Sequence, residues 1–217
     1  MGERPAPNSD RLALIAQADL DRLVRRVIAP ALRELAPSDH ARPTGELDEE
    51  AFFALAEAET HNALCQEARR AFALTIGAAF ERHLRLWLAH TALDRRAEVE
   101  SARFDQILIL VREIKHVDVD ALPIVNDLRE LWELVSALRH GDGHAANRLL
   151  LRAPNLWEHE TPEQRVDLSK NARLVSALQV HTADLDRYIR AIMIFWGEVG
   201  ATPPWGGSNS SPAQPPE

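Results

Sequence analysis

The chain has 217 residues, 46% of them hydrophobic and 27% charged, which is the composition of an ordinary globular protein with one large core. Its net charge of −8 argues against a protein that coats nucleic acid nonspecifically, since neutralising phosphates needs a basic surface. No apolar run is as long as a membrane span, and the N-terminus lacks the apolar core of a signal peptide, so we expect a soluble cytoplasmic protein without a membrane partner. A single cysteine, Cys65, excludes an internal disulfide and a cysteine-based zinc cluster.

Apolar residues recur at helical spacing through the chain, whereas the alternation typical of strands is nearly absent. The first predicted helix covers about residues 10–36 and ends at APSDHARPTG; its apolar stripe consists of Leu12, Ile15, Leu20, Leu23, Val27 and Leu32. The next helical segment covers about 47–93 and is long enough for two helices. Its predicted buried residues are Phe52, Leu55, Leu64, Phe72, Ile76, Phe80, Leu84, Trp87 and Leu88.

Two further amphipathic helices are predicted in the middle of the chain. The earlier one ends at KHVDVD and buries Phe104, Ile107, Leu108, Val111 and Ile114. The later one buries Ile124, Leu128, Leu131, Trp132, Val135 and Leu138. A short helix should run from His144 to about Arg152, and a last one from the capping sequence Thr161-Pro162 to about Trp196.

The predicted fold is therefore all-α, a bundle of five to seven helices, several of them long and antiparallel. We expect one domain over residues 10–199, in which 10–46 form an N-terminal helix and linker. Residues 1–9 and the Pro-, Gly- and Ser-rich tail 200–217 should be disordered.

A polar cluster follows the fourth helical stripe directly: Arg139, His140, Gly141, Asp142, Gly143 and His144. The simplest interpretation is a helix end, in which a glycine forms the cap and the basic residues favour the negative end of the helix dipole. A second is a metal site built on the alternation of His140, Asp142 and His144. A third is metal-free cleavage of RNA, in which histidines move protons and an arginine stabilises the phosphorane oxygens.

Arg139, the polar His140 and then His144 resemble the signature of the HEPN superfamily, which is Arg, a polar residue and a His after a short spacer. A similar Arg-to-His spacing occurs elsewhere, as at Arg85 and His90, but only Arg139 is followed by the polar residue that the signature requires, such as Asn, Asp or His, and lies between two predicted helices. The segment GAAFERHLRLWL, with Glu81, also resembles the family's earlier long helix. The likeness covers roughly residues 50–197. Many relatives have helical or apolar residues where this chain has Gly-Asp-Gly, which predicts a loop here.

The resemblance implies an all-helical, homodimeric endoribonuclease that needs no metal or cofactor, of toxin–antitoxin or antiviral defence systems, with a cognate antitoxin or defence protein as a possible partner. It assigns catalysis to Arg139 and His144, with one histidine of the dimer acting as base and the other as acid. His140, Asp142 and Glu81 are auxiliary candidates. Other members of the superfamily have lost catalysis, so a silent interaction or nucleotide-binding module is the alternative.

Several residues near the motif have two interpretations. Glu81 either supports the active site or pairs with Arg85 one turn later. Arg148 and Arg152, also one turn apart, either contact RNA or form solvated surface. Asp142 either orients a histidine or caps the following helix.

Overall fold

The structure is a computed structural model that describes residues 8–38, 48–157 and 175–200. In this part of the chain 84% of the residues are helical and none is in a strand, so the predicted all-α bundle is confirmed. None of the helices within the described ranges combines the length and the apolar character that crossing a bilayer requires.

The first helix is continuous but changes its hydrogen-bond pattern in the middle. Helix α1 spans Asn8–Leu23, a π-helical turn spans Val24–Ile28, and α2 spans Ala29–Glu34. Pro30 in the first turn of α2 has no N–H to continue the ladder, and the N–H of Ala29 bonds to the carbonyl of Val24, five residues back. The extra residue in this turn rotates the buried stripe, so that Ile28 is buried and Val27 is not.

Helix α3 spans Glu49–Thr91 without a break, so the long second segment is one helix and not two. The Asp48 carboxylate caps it by accepting the N–H of Ala51 at 2.8 Å. Phe52 and Leu64 are 56% and 57% exposed, which contradicts their predicted burial. In the described structure the N-terminal half of α3 has a narrow contact face, whose buried apolar residues are Ala58 and Cys65.

The prediction for Ile15 in α1 was also wrong, because it is 41% exposed while Ala13 and Ala16 are buried. A prediction from apolar spacing selects the large apolar side chains as buried. In the structure the small side chains of alanines face the neighbouring helix, because they allow the two helices to pack closely. Ala13 shows this directly, since a Cβ built on Gly200 at the end of the chain's last described helix would meet its methyl group at 2.9 Å.

The remaining helices follow the predicted order. They are α4 (Arg96–Ser101), α5 (Phe104–Lys115), α6 (Val125–His140), α7 (His144–Arg152) and α8 (Thr182–Val199). With α1 and α2 counted as one, the described residues form seven helices, within the predicted number. The predicted start of the last helix at Thr161 lies outside the described residues, as do residues 1–7 and residues 201–217 of the predicted tail. The prediction that this helix is continuous from 161 was wrong, because residues 175–181 are not helical and α8 begins only at Thr182.

The core is formed where α3, α6 and α8 meet. Trp196 of α8 makes edge-to-face contacts with Phe80 and Trp87 of α3, with ring centroids 6.1 and 5.8 Å apart. Helices α3 and α6 approach so closely at Gly77 that a Cβ there would overlap the side chain of Val135. This contact fixes the position of α6, the helix that carries the motif.

An ion-pair network ties α6 to α8. The Arg187 guanidinium lies 2.5 Å from Glu130 and 2.5 Å from Asp127, and it also contacts Asp184 at 3.2 Å. The Tyr188 hydroxyl donates to Glu130 at 2.6 Å. Burial raises the pKa of Tyr188, and the nearby Glu130 carboxylate raises it further. Burial lowers the pKa of Arg187, but the hydrogen bonds that its guanidinium donates to Glu130 and Asp127 outweigh this effect and raise that pKa above its usual value. The raised pKa keeps the Arg187 guanidinium charged at neutral pH.

Arg187→Gln should lower the free energy of unfolding by about 2 kcal/mol or more, because three carboxylates lose their common counter-charge in a partly desolvated site. Arg96→Gln is the matched control: its partner Glu100 is one turn away, and both side chains are more than 60% exposed. Its removal should cost less than about 0.5 kcal/mol. Urea unfolding followed by circular dichroism measures both values. Equal losses in the two variants would mean that the network does not stabilise the junction of α6 and α8.

Candidate active site

The motif occupies the junction of α6 and α7. Arg139 and His140 are the last two residues of α6, and His144 is the first residue of α7. The loop predicted from Gly-Asp-Gly is present. Gly141 ends α6 with φ of +73° and ψ of −157°, and its N–H bonds to the carbonyl of Ala137 at 2.8 Å.

Arg139 is held by a carboxylate from α3. Its guanidinium lies 3.3 Å from Glu81, with the arginine side chain 41% and the glutamate 18% exposed. The same carboxylate, through its other oxygen, accepts two hydrogen bonds from Arg85 at 3.0 and 3.1 Å. Both interpretations of Glu81 therefore describe contacts that are present: it pairs with Arg85 within its helix and supports Arg139 across the α3–α6 contact.

The two imidazoles of the motif are open to solvent. His140 and His144 are both exposed, and neither forms a hydrogen bond or ion pair within the described ranges of the chain. Their ring nitrogens thus have no partner among the described residues, and proton transfer requires such a nitrogen within reach of the substrate.

Among the described residues Asp142 takes neither of its expected roles. Its Oδ1 accepts the backbone N–H of Val175 at 2.7 Å, and the N-cap position of α7 is Gly143, which makes no side-chain cap. The reason is spatial, since the segment that leads into α8 lies against this loop. Asp142 therefore anchors the loop, and among the described residues no group of His, Cys, Asp or Glu is arranged to hold a metal ion.

Arg148 and Arg152 converge on one carboxylate. Arg152 contacts both oxygens of Glu133 at 3.1 and 3.3 Å, and Arg148 lies 3.8 Å from the same residue. Glu133 is only 11% exposed, whereas Arg148 is 57% exposed. The two arginines thus lie on the same side of α7, as their spacing predicts, and face α6.

These arginines line a groove of about 630 Å³ that runs beside α6. Its other walls come from the start of α5 and from Arg85 of α3, and its lining includes His140, Arg129 and Arg103. Arg139 and His144 do not line it, so His140 is the motif residue that connects the two features. No spacing could have found Arg103, because only the packing of α5 brings it to α6.

His61 and Cys65 form a local pair on α3. The thiol lies 3.5 Å from His61 Nε2, which also contacts the carbonyl of Ala36 at 2.9 Å. Cys65 is 1% exposed, so this pair packs α3 against the end of the first helix.

The chain matches no protein-family model, no curated protein and no solved structure. The basis for a function is therefore the side chains themselves: one guanidinium with a carboxylate behind it, and two solvent-open imidazoles within six residues. Guanidinium groups suit phosphates, and imidazoles are able to transfer protons.

Gly141→Ala should lower the free energy of unfolding by about 1–3 kcal/mol, because its φ and ψ belong to a region that essentially only glycine adopts. Gly143→Ala is the matched control. It lies two residues away on extended backbone, with open space where a Cβ would be added. Thermal unfolding of both variants measures the difference. A loss at residue 143 as large as that at residue 141 would contradict the strained helix end.

Proposed function

We propose that the chain is a metal-independent endoribonuclease of the HEPN type. The observation that carries the proposal is the end of α6, where Arg139 is braced by Glu81 while His140 and His144 are exposed and unpaired within the described residues. RNA supplies its own nucleophile, the 2′-hydroxyl, so a protein needs only a base, an acid and a cation to cleave it.

In this mechanism a histidine accepts the proton of the 2′-hydroxyl, whose oxygen attacks the adjacent phosphorus. The bond to the 5′-oxygen breaks, and that oxygen receives a proton from an acid. The products are a 2′,3′-cyclic phosphate and a free 5′-hydroxyl. Arg139 stabilises the charge on the non-bridging oxygens, and the forked guanidinium suits two of them at once. Arg148 and Arg152 are proposed to contact the RNA beside this centre.

We further propose a homodimer in which His144 of each protomer contributes to a shared site. Each chain brings one His144, and the reaction needs a base and an acid at the same time. A cytoplasmic toxin or antiviral effector, restrained by an antitoxin or defence partner, is the biological role that this chemistry suits.

The alternative is a catalytically silent binding module of the same fold. The observation in its favour is that Arg139, Arg148 and Arg152 already have carboxylate partners. Arg139 is nevertheless 41% exposed, and its one ion pair within the described residues is 3.3 Å long. Exposed pairs of this kind contribute only about 0–1 kcal/mol. A phosphate can therefore displace or share that contact at little cost, which favours the nuclease.

The purified protein should cleave RNA in the presence of EDTA, and His144→Ala and Arg139→Ala should each abolish this cleavage with helical content unchanged. Loss of proton transfer costs about 10²- to 10⁴-fold in rate, and loss of charge stabilisation costs a similar factor. The double variant should lose less than the product of the two, because both groups act on one transition state. Gel assays with end-group analysis measure the rate and the cyclic phosphate.

His90→Ala is the matched control, since Arg85 and His90 repeat the spacing of Arg139 and His144 and His90 is exposed. It should cleave like the wild type. Full activity in His144→Ala would refute the catalytic assignment, and activity only with added divalent ions would favour metal chemistry instead.

The two-fold axis of the proposed dimer lies near residues 139–144. Light scattering should give the mass of a dimer at micromolar concentration. Adding an excess of inactive His144→Ala protein to the wild type tests whether the site is shared, since each heterodimer would keep only one His144 and should lose activity. A monomer at all concentrations would rule out the shared site.

A further inference from the structure

The groove beside α6 carries an excess of positive charge on an acidic protein. Five arginines line it against two carboxylates, Asp105 and Glu133, although the whole chain has a net charge of −8. Such local concentration of guanidinium groups is the electrostatic pattern of a site for phosphates.

The carboxylates near the groove are too few to neutralise it. Glu133 is shared between Arg148 and Arg152, and Glu81 is shared between Arg85 and Arg139. Arg129 has a partner of its own, Asp120, at 2.7 Å. Arg103 is exposed at the start of α5 and has no ion pair with a carboxylate of the described residues. Donors therefore remain available for a negatively charged ligand.

An aromatic stack lies in the same groove. The rings of Phe104 and Trp132 are 4.5 Å apart and nearly parallel, at 11°. Phe104 is buried at 2%, whereas Trp132, the outer ring, is only partly buried and lines the groove. Aromatic rings beside a positively charged groove are the combination that binds unpaired bases of single strands.

The groove is also longer than one phosphate. Its residues on α6 run from Arg129 to His140, which at the rise of an α-helix is about 16 Å. A duplex keeps its bases stacked and paired, so the stack favours a strand whose bases are free. The groove ends at His140, next to the proposed catalytic residues.

We propose that this groove binds a single-stranded segment of RNA, with Arg103, Arg129 and Arg148 contacting successive phosphates and Trp132 stacking on a base. The inference rests on the proposed function and adds the substrate class: unpaired RNA whose flanking nucleotides occupy the groove while the scissile bond lies at the motif.

The test measures binding separately from cleavage. A fluorescent single-stranded oligonucleotide with 2′-O-methyl groups has no free 2′-hydroxyl and cannot be cut by the proposed mechanism, so its affinity is readable by anisotropy for any variant. Each lost phosphate contact should reduce the slope of log affinity against log salt by about 0.7. Arg103→Gln and Arg148→Gln should each show this reduction, and Trp132→Leu should weaken binding roughly tenfold at constant slope.

Arg25→Gln serves as the matched control, because Arg25 is 77% exposed, pairs with Asp21 one turn away and lies outside the groove. It should keep the wild-type slope and affinity. Should Trp132→Leu fail to fold, the two arginine variants decide, since both side chains are on the surface.

The outcomes separate the two proposals. Unchanged slopes in both arginine variants, or equal affinity for a blunt duplex of the same length, would overturn the groove proposal even if the protein cleaves RNA. Reduced slopes in a protein that never cleaves RNA would support the groove and refute the nuclease.

Discussion

The close approach of α3 and α6 at Gly77 is the constraint on which the rest of the site depends. A side chain at residue 77 would overlap Val135, so only glycine allows the two axes to lie this near. One turn after Gly77, Glu81 reaches the last turn of α6 and contacts Arg139. With α3 on one side and the Arg187 network on the other, α6 has little freedom to rotate, and its polar end is held in a defined orientation.

Shared carboxylates give this end of the bundle its electrostatic character. Glu81 and Glu133 each lie between two guanidinium groups. Each of these two pairs of arginines therefore carries one more positive charge than its shared carboxylate neutralises. The carboxylates reduce the repulsion between the arginines in the free protein and fix where the guanidiniums lie. An incoming phosphate then meets cations that are already positioned, which lowers the ordering cost of binding.

The helical elements could be predicted from the sequence because their apolar spacing is regular. The loop at Gly141 could be predicted because its positive φ is a conformation that favours glycine. It failed at Val27, since a π-helical turn shifts the register by one residue, and at Phe52, whose burial depends on neighbours rather than on spacing. The groove lay beyond sequence reasoning because Arg103 and Arg148 are far apart in the chain and meet only through the packing of α5 and α7 on α6.

Two neighbouring residues of the motif, Arg139 and His140, lie in different surroundings. Arg139 faces the carboxylate of Glu81, while the next residue, His140, lines the groove, because successive residues of an α-helix point in directions about 100° apart. If the groove binds a strand as proposed, the strand meets His140 before it reaches Arg139. In the proposed mechanism His140 would position the phosphate, whereas Arg139, in contact with Glu81, would stay oriented for the charge that develops on it. Separate groups for binding and for transition-state stabilisation allow affinity for RNA to rise without weakening the rate of the chemical step.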